Sequence, residues 1–137
     1  MYHGDSRLVQ VSEFDGIITS PPYVGLIDYH EQHAYAYHLL GLSDNRHQET
    51  GSASKGSGQQ AKRQYQKGVA QVFKNVANAM RNGGKIIVVA GDKHNLYPEI
   101  ASLAGLETEN VVKRHVNRRT GRRSTEFFES VFIWRRP

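Results

Sequence analysis

The stretch Asp15-Gly16-Ile17-Ile18-Thr19-Ser20-Pro21-Pro22-Tyr23 decides how the rest of the chain is interpreted. The short apolar run that ends at Thr19 has the composition of a buried strand. Neither Pro21 nor Pro22 has an N–H to donate to a backbone ladder, so the strand must end before them. The residue before a proline is also held extended, which makes the following segment stiff. We therefore predict a buried strand that is followed at once by a stiff loop.

This loop offers hydrogen-bond acceptors in an arrangement that suits an amino group. The carbonyls of Ser20 and Pro21 are free of any backbone ladder, and the Ser20 hydroxyl adds a further acceptor. A group with two N–H donors can be held by Ser20 and the Pro21 carbonyl together. Tyr23 offers a flat face on which a base taken out of its helix can stack. The loop lies at the carboxyl end of its strand, where open α/β sheets bind ligands.

The other segments alternate between helix and strand patterns. Asp28 and Glu31 have capping-box spacing and open a helix that runs to Gly41. Apolar residues then recur on one helical face from Tyr65 to Met80, and Gly83-Gly84 is predicted to end that helix. The remaining predicted elements are a buried strand at Lys85–Ala90, a short helix from Pro98 to near Gly105, and strands at Asn110–Asn117 and Phe127–Trp134.

This alternation predicts an α/β fold with a parallel sheet. No helix pattern separates the last two strands, so they are expected to form an antiparallel C-terminal pair. The set of elements corresponds to half of a doubly wound, Rossmann-like sheet. The 137 residues suit a single domain, which is small for a protein that binds both a cofactor and a large ligand.

Composition narrows the class of protein. No apolar run is long enough to cross a bilayer, and the first residues lack a signal-peptide pattern, so we expect a cytoplasmic protein without a membrane partner. The chain has no cysteine, which excludes disulfides and thiolate metal sites. His30 and His33 are spaced i, i+3 without an evident third ligand, so we predict no metal and a helix-cap, surface role for this segment.

Two segments stand apart by charge and polarity. Ser43–Lys62 is rich in Gly, Ser and Gln and lacks large apolar residues, so we predict a flexible loop within the domain. Lys113–Arg123 is basic and contains no acid, in a chain whose net charge is +5. We predict that the arginines of this segment contact DNA phosphates, although a solvated hairpin is the plainer alternative. The prediction concerns four of its five arginines, Arg118, Arg119, Arg122 and Arg123, and does not include Arg114.

The motif Asp15–Tyr23 resembles the catalytic motif of amino-group DNA methyltransferases. Its Ser-Pro-Pro-Tyr form is typical of enzymes that methylate the N4 amine of cytosine, whereas adenine enzymes more often carry Asp or Asn at the position of Ser20. The resemblance implies that Ser20, Pro21, Pro22 and Tyr23 are catalytic. It also extends to His3–Arg7, Gly84–Lys93 and the segment from Asn117 to Ser130.

The resemblance further implies S-adenosylmethionine as the cofactor, with Asp5 near its adenine and Thr19 also in the cofactor site. The implied function is methyl transfer to cytosine N4 in DNA, typically within a restriction–modification system. Two acceptors placed off the base plane would localise the lone pair of an amine that is otherwise delocalised into the ring. The alternatives are methylation of adenine N6, methylation of RNA, and an inactive remnant that only binds nucleic acid.

The sequence departs from this family in one respect. It lacks the Gly-rich turn after a first strand and the acidic residue after a second strand that would hold the methionine and ribose parts of the cofactor. Residues 1–137 are therefore expected to form a single partial methyltransferase domain. We expect the other half of the fold to come from a second polypeptide or from a missing segment.

Overall fold

The computed structural model describes residues 4–25, 28–52, 55–116 and 127–137. Four strands form one mixed sheet in the order β1-β2-β4-β3, in which β2 is parallel to β1, and β4 lies antiparallel to both β2 and β3. The elements are β1 (Phe14–Thr19), α1 (Tyr29–Gln32), α2 (Ala34–Leu40), α3 (Gln59–Ala79), β2 (Met80–Ala90), α4 (Tyr97–Ala104), β3 (Glu107–Val116) and β4 (Phe127–Arg135), with a 3₁₀ turn at Arg46–Gln48.

Several ends of strands and helices lie where the sequence predicts them. β1 ends at Thr19, directly before the Ser-Pro-Pro segment. The Asp28 side chain accepts a hydrogen bond from the backbone N–H of Glu31 at 2.9 Å, as an N-cap does. α2 ends at Gly41 and α4 at Gly105, and both glycines have left-handed backbone angles. The two C-terminal strands pair antiparallel, although β3 begins at Glu107 rather than at Asn110.

The predicted role of Gly83-Gly84 is wrong. α3 ends at Ala79, and Met80 is already extended at the start of β2, so both glycines lie inside a strand. The pairing register between β1 and β2 shifts here, which marks a bulge. Gly83 has φ +77°, and a Cβ on Gly84 would lie 2.6 Å from the carbonyl oxygen of Asp15. Gly83 is favoured because its φ lies in the left-handed region, and Gly84 is needed because the strands approach closely at this bulge.

Two further boundaries differ from the prediction. The helix expected from Asp28 to Gly41 is divided at His33, whose φ of −109° and ψ of 16° lie outside the helical range. α3 starts at Gln59, so the end of the predicted loop Ser43–Lys62 is helical.

The core lies between the sheet and one helical layer formed by α3 and α4. Trp134 is fully buried on β4 and meets Phe73 of α3 edge-to-face, with ring centroids 5.0 Å apart. Phe132 stacks on Tyr97 of α4 at 4.9 Å. Aromatic pairs of this kind contribute about 0.5–1.5 kcal/mol each beyond the area that they bury. Alternate residues of β2, Ile86 and Val88, complete this face of the sheet.

The opposite face of the sheet is apolar but more open. Ile18 of β1 is paired with Ile87 of β2, and its side chain is 80% exposed. Val112 of β3 is 48% exposed beside its partner Val131. Among the residues that the structure describes, no strand pairs with the outer edge of β1. A search of the described helices for one long and apolar enough to cross a membrane finds none.

Candidate active site

The Ser20–Tyr23 loop lies where the carboxyl ends of two parallel strands meet. Thr19 is the last residue of β1 and is paired with Val88, near the end of β2. Ser20 follows β1 directly and is exposed, whereas Pro21, Pro22 and Tyr23 are half-buried. The sequence-predicted catalytic residues are therefore contiguous at the sheet edge that binds ligands in open α/β folds.

The Pro22 carbonyl accepts a hydrogen bond from a buried tyrosine of α3, Tyr65. The Tyr65 hydroxyl donates to the carbonyl oxygen of Pro22 at 2.7 Å and lies 2.8 Å from the hydroxyl oxygen of Tyr97. Both tyrosines are only 3% exposed. Burial raises the pKa of Tyr65 to about 12, and burial also raises the pKa of Tyr97. Both hydroxyls therefore keep their protons at neutral pH and can act as donors.

Two other acceptors of this loop are left open. Within the described parts of the chain, neither the Ser20 hydroxyl nor the Pro21 carbonyl has a hydrogen-bond partner. The loop thus presents Ser20 and Pro21 to a ligand while the Pro22 carbonyl is occupied. The sequence predicts Ser20 and the Pro21 carbonyl as acceptors, but no local pattern indicates that Tyr65 binds the Pro22 carbonyl.

Tyr23 is tied to the C-terminal strand pair. Its hydroxyl donates to Glu129 Oε1 at 3.2 Å, across 106 residues of sequence. The other oxygen of Glu129 accepts from the Arg114 guanidinium of β3, in an ion pair whose carboxylate side chain is 15% exposed. Arg114 belongs to the predicted basic segment, and its guanidinium pairs with Glu129 although the Arg114 side chain is 63% exposed. No local pattern in the sequence indicates that Glu129 reaches Tyr23.

Part of the polar segment Ser43–Lys62, here called the polar loop, packs against the Ser20–Tyr23 loop. The backbone N–H of Gly25 donates to the carbonyl oxygen of Gly51 at 2.8 Å. A Cβ on Gly51 would lie 3.0 Å from both the Tyr23 carbonyl oxygen and the Tyr65 ring, and its φ is +80°. The Lys55 ammonium donates to the carbonyl oxygens of residues 47 and 49 at 2.9 and 2.8 Å. This part of Ser43–Lys62 is therefore in contact with the candidate site.

Asp5 makes a local ion pair rather than a contact with the Ser20–Tyr23 loop in the described hydrogen bonds. Its carboxylate accepts from the side chain and the backbone N–H of Arg7, and these hydrogen bonds lower its pKa to about 2. Asn75 of α3 donates to the carbonyl oxygens of Ser6 and Val9 and so fixes this segment. Arg7 also lines a cavity of about 470 Å³ beside the polar loop.

Asp92, which follows β2 at the same sheet edge, holds the start of α4. Its two carboxylate oxygens accept from the backbone N–H groups of Leu96 and Tyr97 at 2.7 and 3.1 Å. Asp92 therefore fixes the residue whose hydroxyl reaches Tyr65.

The predicted surface role of the histidine segment is wrong for His30. This residue is 7% exposed, and its backbone N–H donates to Glu49 Oε1 at 2.8 Å. Its Nε2 lies 3.6 Å from Asp44 Oδ1. The described residues contain no group of three side chains suited to holding a metal.

The predicted DNA contacts Arg118, Arg119, Arg122 and Arg123 lie outside the described residues. The described strands nevertheless bring both ends of this segment close together. β3 and β4 stay paired to the register Val116↔Phe127, so residues 117–126 connect neighbouring strand ends. His115 and Phe128 meet near this end, with ring centroids 5.1 Å apart.

Comparisons with known proteins give one relative by sequence and a matching fold. The chain is 40% identical over 146 residues to the type II methyltransferase M.MjaII of Methanocaldococcus jannaschii, covering 95% of this chain but only 28% of that relative. No family model matches the chain.

Solved structures of a candidate DNA modification methylase from Thermus thermophilus resemble the fold. One has a TM-score of 0.56 at 17% identity, and the match covers 98% of this chain and 52% of that protein. A second, complexed with S-adenosyl-L-methionine, has a TM-score of 0.58 at 18% identity and is covered over 54% of its length. The chain is thus similar in sequence to about a quarter of a type II methyltransferase, and it has the fold of about half of a DNA modification methylase.

Proposed function

We propose that this chain is the amine-binding half of an S-adenosylmethionine-dependent DNA methyltransferase that acts on the N4 amine of cytosine. The observation that supports the proposal is the different hydrogen bonding of the acceptors in the Ser20–Tyr23 loop. Two acceptors, the Ser20 hydroxyl and the Pro21 carbonyl, are open at the carboxyl edge of the sheet in the described part of the chain, while the next carbonyl is occupied by Tyr65. An exocyclic amine has two N–H donors, which matches the two open acceptors.

The chemistry required of these residues is orientation and charge stabilisation. The lone pair of an exocyclic base amine is delocalised into the ring, so the nitrogen is a weak nucleophile. When Ser20 and Pro21 accept from its two N–H groups, they draw the nitrogen towards tetrahedral geometry and stabilise the positive charge that develops on it. S-adenosylmethionine supplies the methyl group when it is bound. Tyr23, held through its hydroxyl by Glu129, presents its ring to the base.

Asp5 and Thr19 are the residues of this chain that we assign to the cofactor site. Thr19 lies at the end of β1, one residue from the amine acceptors. Asp5 is ionised at neutral pH, since its ordinary pKa is 3.8 and the hydrogen bonds from Arg7 lower this pKa to about 2. Arg7 makes two hydrogen-bond contacts to each oxygen of this carboxylate, so Arg7 must release at least one of them before Asp5 accepts from an adenine amine.

The remaining half of the cofactor site must come from another segment. The relative and the solved neighbours are longer than this chain, which spans 28% of the former. The outer edge of β1 is unpaired among the described strands, and Ile18 beside it is 80% exposed. We propose that a Gly-rich strand-turn-helix segment, in the same or a second polypeptide, adds its strand to this edge and covers Ile18.

DNA is the proposed substrate, in the cytoplasm and within a restriction–modification system. The relative is a type II methyltransferase, and the chain carries a net charge of +5. We assign phosphate contacts to Arg118, Arg119, Arg122 and Arg123, and cytosine specificity to the presence of Ser20 rather than Asp or Asn.

The test is methylation in a host that lacks modification of its own. The chain is expressed together with the reading frames that adjoin it, and the genomic DNA of the host is then sequenced for modified bases. We expect N4-methylcytosine at one recurring sequence, and none with Ser20→Ala. N6-methyladenine would overturn the cytosine assignment, and unmodified DNA despite DNA binding would support a remnant that only binds nucleic acid.

A further inference from the structure

We infer that Tyr65 is a positioning residue for catalysis: its hydroxyl holds the Pro22 carbonyl and so fixes the amine acceptors, while Tyr97 completes a directed hydroxyl relay by donating to Tyr65. This inference rests on the proposed function for its catalytic part, but the relay itself is a structural assignment. It starts at Tyr97 in α4, passes through Tyr65 in α3 and ends at the carbonyl of Pro22.

The direction of the relay follows from the acceptor at its end. A carbonyl oxygen only accepts, so the single hydroxyl proton of Tyr65 is used on Pro22 at 2.7 Å. At the 2.8 Å contact between the two tyrosines, Tyr65 must then be the acceptor and Tyr97 the donor. Tyr97 is in turn fixed at its backbone N–H by Asp92. The Tyr97 hydroxyl proton is therefore donated to Tyr65, and the Tyr65 hydroxyl proton is donated to Pro22.

The Ser20–Tyr23 loop needs such an anchor because it lacks the usual ones. Pro21 and Pro22 have no N–H, so no backbone donor of these two residues can tie the loop to the sheet. Tyr65 of α3 binds the loop at the Pro22 carbonyl, and Glu129 binds it separately at the Tyr23 hydroxyl. With this short segment fixed at both points, Ser20 and the Pro21 carbonyl keep one geometry relative to the base.

Loss of the Tyr65 hydroxyl has a specific chemical consequence. The Pro22 carbonyl becomes a third open acceptor beside Ser20 and Pro21, and it can compete for the amine in a position that does not favour methyl transfer. Misplacement of reacting groups by about 1 Å costs on the order of 100-fold in rate. We therefore expect Tyr65→Phe to lower kcat by about 10- to 100-fold while KM for DNA changes little.

Tyr97→Phe is the matched control. It removes the same hydrogen bond between the two tyrosines and also leaves a buried phenyl ring, but Tyr65 keeps its donor on Pro22. Tyr65→Phe removes two hydrogen bonds and Tyr97→Phe removes one, so Tyr65→Phe should lower Tm more, and kcat is compared well below both Tm values. At that temperature only Tyr65→Phe should lower kcat strongly. If the two hydroxyls only stabilised the core, both variants would keep the kcat of the wild type there.

The experiment has two arms. In the first, the chain carries ¹³C at its proline carbonyls, of which there are four, and the Pro22 carbonyl shift is compared by NMR among wild type, Tyr65→Phe and Tyr97→Phe. We expect a large change in Tyr65→Phe and a smaller one in Tyr97→Phe. Equal changes, or none, would overturn the relay whether or not the chain methylates anything.

In the second arm, kcat and KM are measured for the chain assembled with its complementing half. An active wild type with equal kcat in both variants overturns the positioning role and leaves the proposed function standing. An inactive wild type with the expected carbonyl shifts overturns the proposed function and leaves the relay standing. The inference is supported when the wild type is active, Tyr65→Phe is slow, and Tyr97→Phe is close to wild type.

Discussion

The hydroxyl of Tyr23 donates to Glu129 Oε1 at 3.2 Å, so a residue just past the end of β1 is fixed by a carboxylate on β4. Glu129 is itself held by Arg114, and the three side chains link the Ser20–Tyr23 loop to the strand pair that leads into residues 117–126. The proposed base-stacking residue is therefore linked by side-chain contacts to the β3–β4 strand pair.

This link predicts different effects for two changes at Tyr23. Tyr23→Ala removes the ring, and stacking contributes about 1–3 kcal/mol per base, so DNA affinity should fall about 5- to 150-fold. Tyr23→Phe keeps the ring but loses the hydrogen bond to Glu129, and it should bind DNA nearly as wild type does while turning over more slowly. Fluorescence titration with duplex DNA, followed by kcat, separates the two. Equal affinities for Tyr23→Ala and wild type would remove Tyr23 from the base-binding role.

Ser20→Ala should affect turnover more than binding. The Ser20 hydroxyl accepts from the amine most strongly as charge develops on the nitrogen, and removal of one such group typically costs ~10²-fold in kcat. The Kd for DNA should stay within about twofold, since the hydroxyl adds little to ground-state binding. Ser43→Ala, which removes an exposed hydroxyl outside the Ser20–Tyr23 loop, is the control and should retain full activity. Full turnover by Ser20→Ala would mean that Ser20 does not hold the amine.

The basic segment is tested by the salt dependence of DNA binding. Removing one phosphate contact lowers the slope of log K against log salt by ~0.9 on duplex DNA, because fewer counterions are released. Replacing Arg118, Arg119, Arg122 and Arg123 by Ala should thus reduce the slope strongly and weaken binding to all sequences alike.

The control for this test removes an equal charge elsewhere. It replaces Lys62, Arg63, Lys67 and Lys74 of α3 by Ala and should change the slope much less. Equal slopes in the two quadruple variants would assign the effect to net charge, and an unchanged slope in the first would make the segment a solvated hairpin.

The ion pair between Asp5 and Arg7 predicts how the stability of the fold changes at acidic pH. Its pKa is about 2 in the folded chain against an ordinary value of 3.8, mainly because Arg7 donates to it. A lowered folded pKa adds stability that is fully present above pH 3.8 and is lost as the pH falls towards about 2. Arg7→Ala should return the Asp5 pKa towards 3.8 in an NMR carboxyl titration. The separate pair of Arg46 with Asp44 should be unaffected, and a low Asp5 pKa in Arg7→Ala would assign the shift to another group.

What the sequence can predict is local. The end of β1 before Pro21, the cap at Asp28 and the helix stop at Gly105 each depend on residues within one turn of chain, and the structure confirms all three. The prediction for Gly83-Gly84 is wrong because the same dipeptide ends helices and permits bulges. The deciding fact is the close approach of the Asp15 carbonyl, which lies far away in sequence.

The residues that hold the candidate site in place, Tyr65 and Glu129, could not be predicted because their partners are also far away in sequence. Tyr65 belongs to the predicted apolar face of a helix, but its hydroxyl partner, Pro22, lies 43 residues away. Glu129 lies 106 residues from Tyr23. No spacing rule connects residues so far apart, so the sequence identifies the groups proposed to touch a substrate but not those that hold them in place.

The atom that receives the methyl group shows whether Ser20 and the Pro21 carbonyl hold a reacting amine. The assembled protein is incubated with labelled S-adenosylmethionine and duplex DNA, and the DNA is digested to nucleosides for mass spectrometry. We expect label in N4-methylcytosine, and loss of that label when the target cytosine is replaced by a pyrimidine without the exocyclic amine. Label at carbon 5 of cytosine would contradict this expectation, because Ser20 and the Pro21 carbonyl would then hold no reacting group.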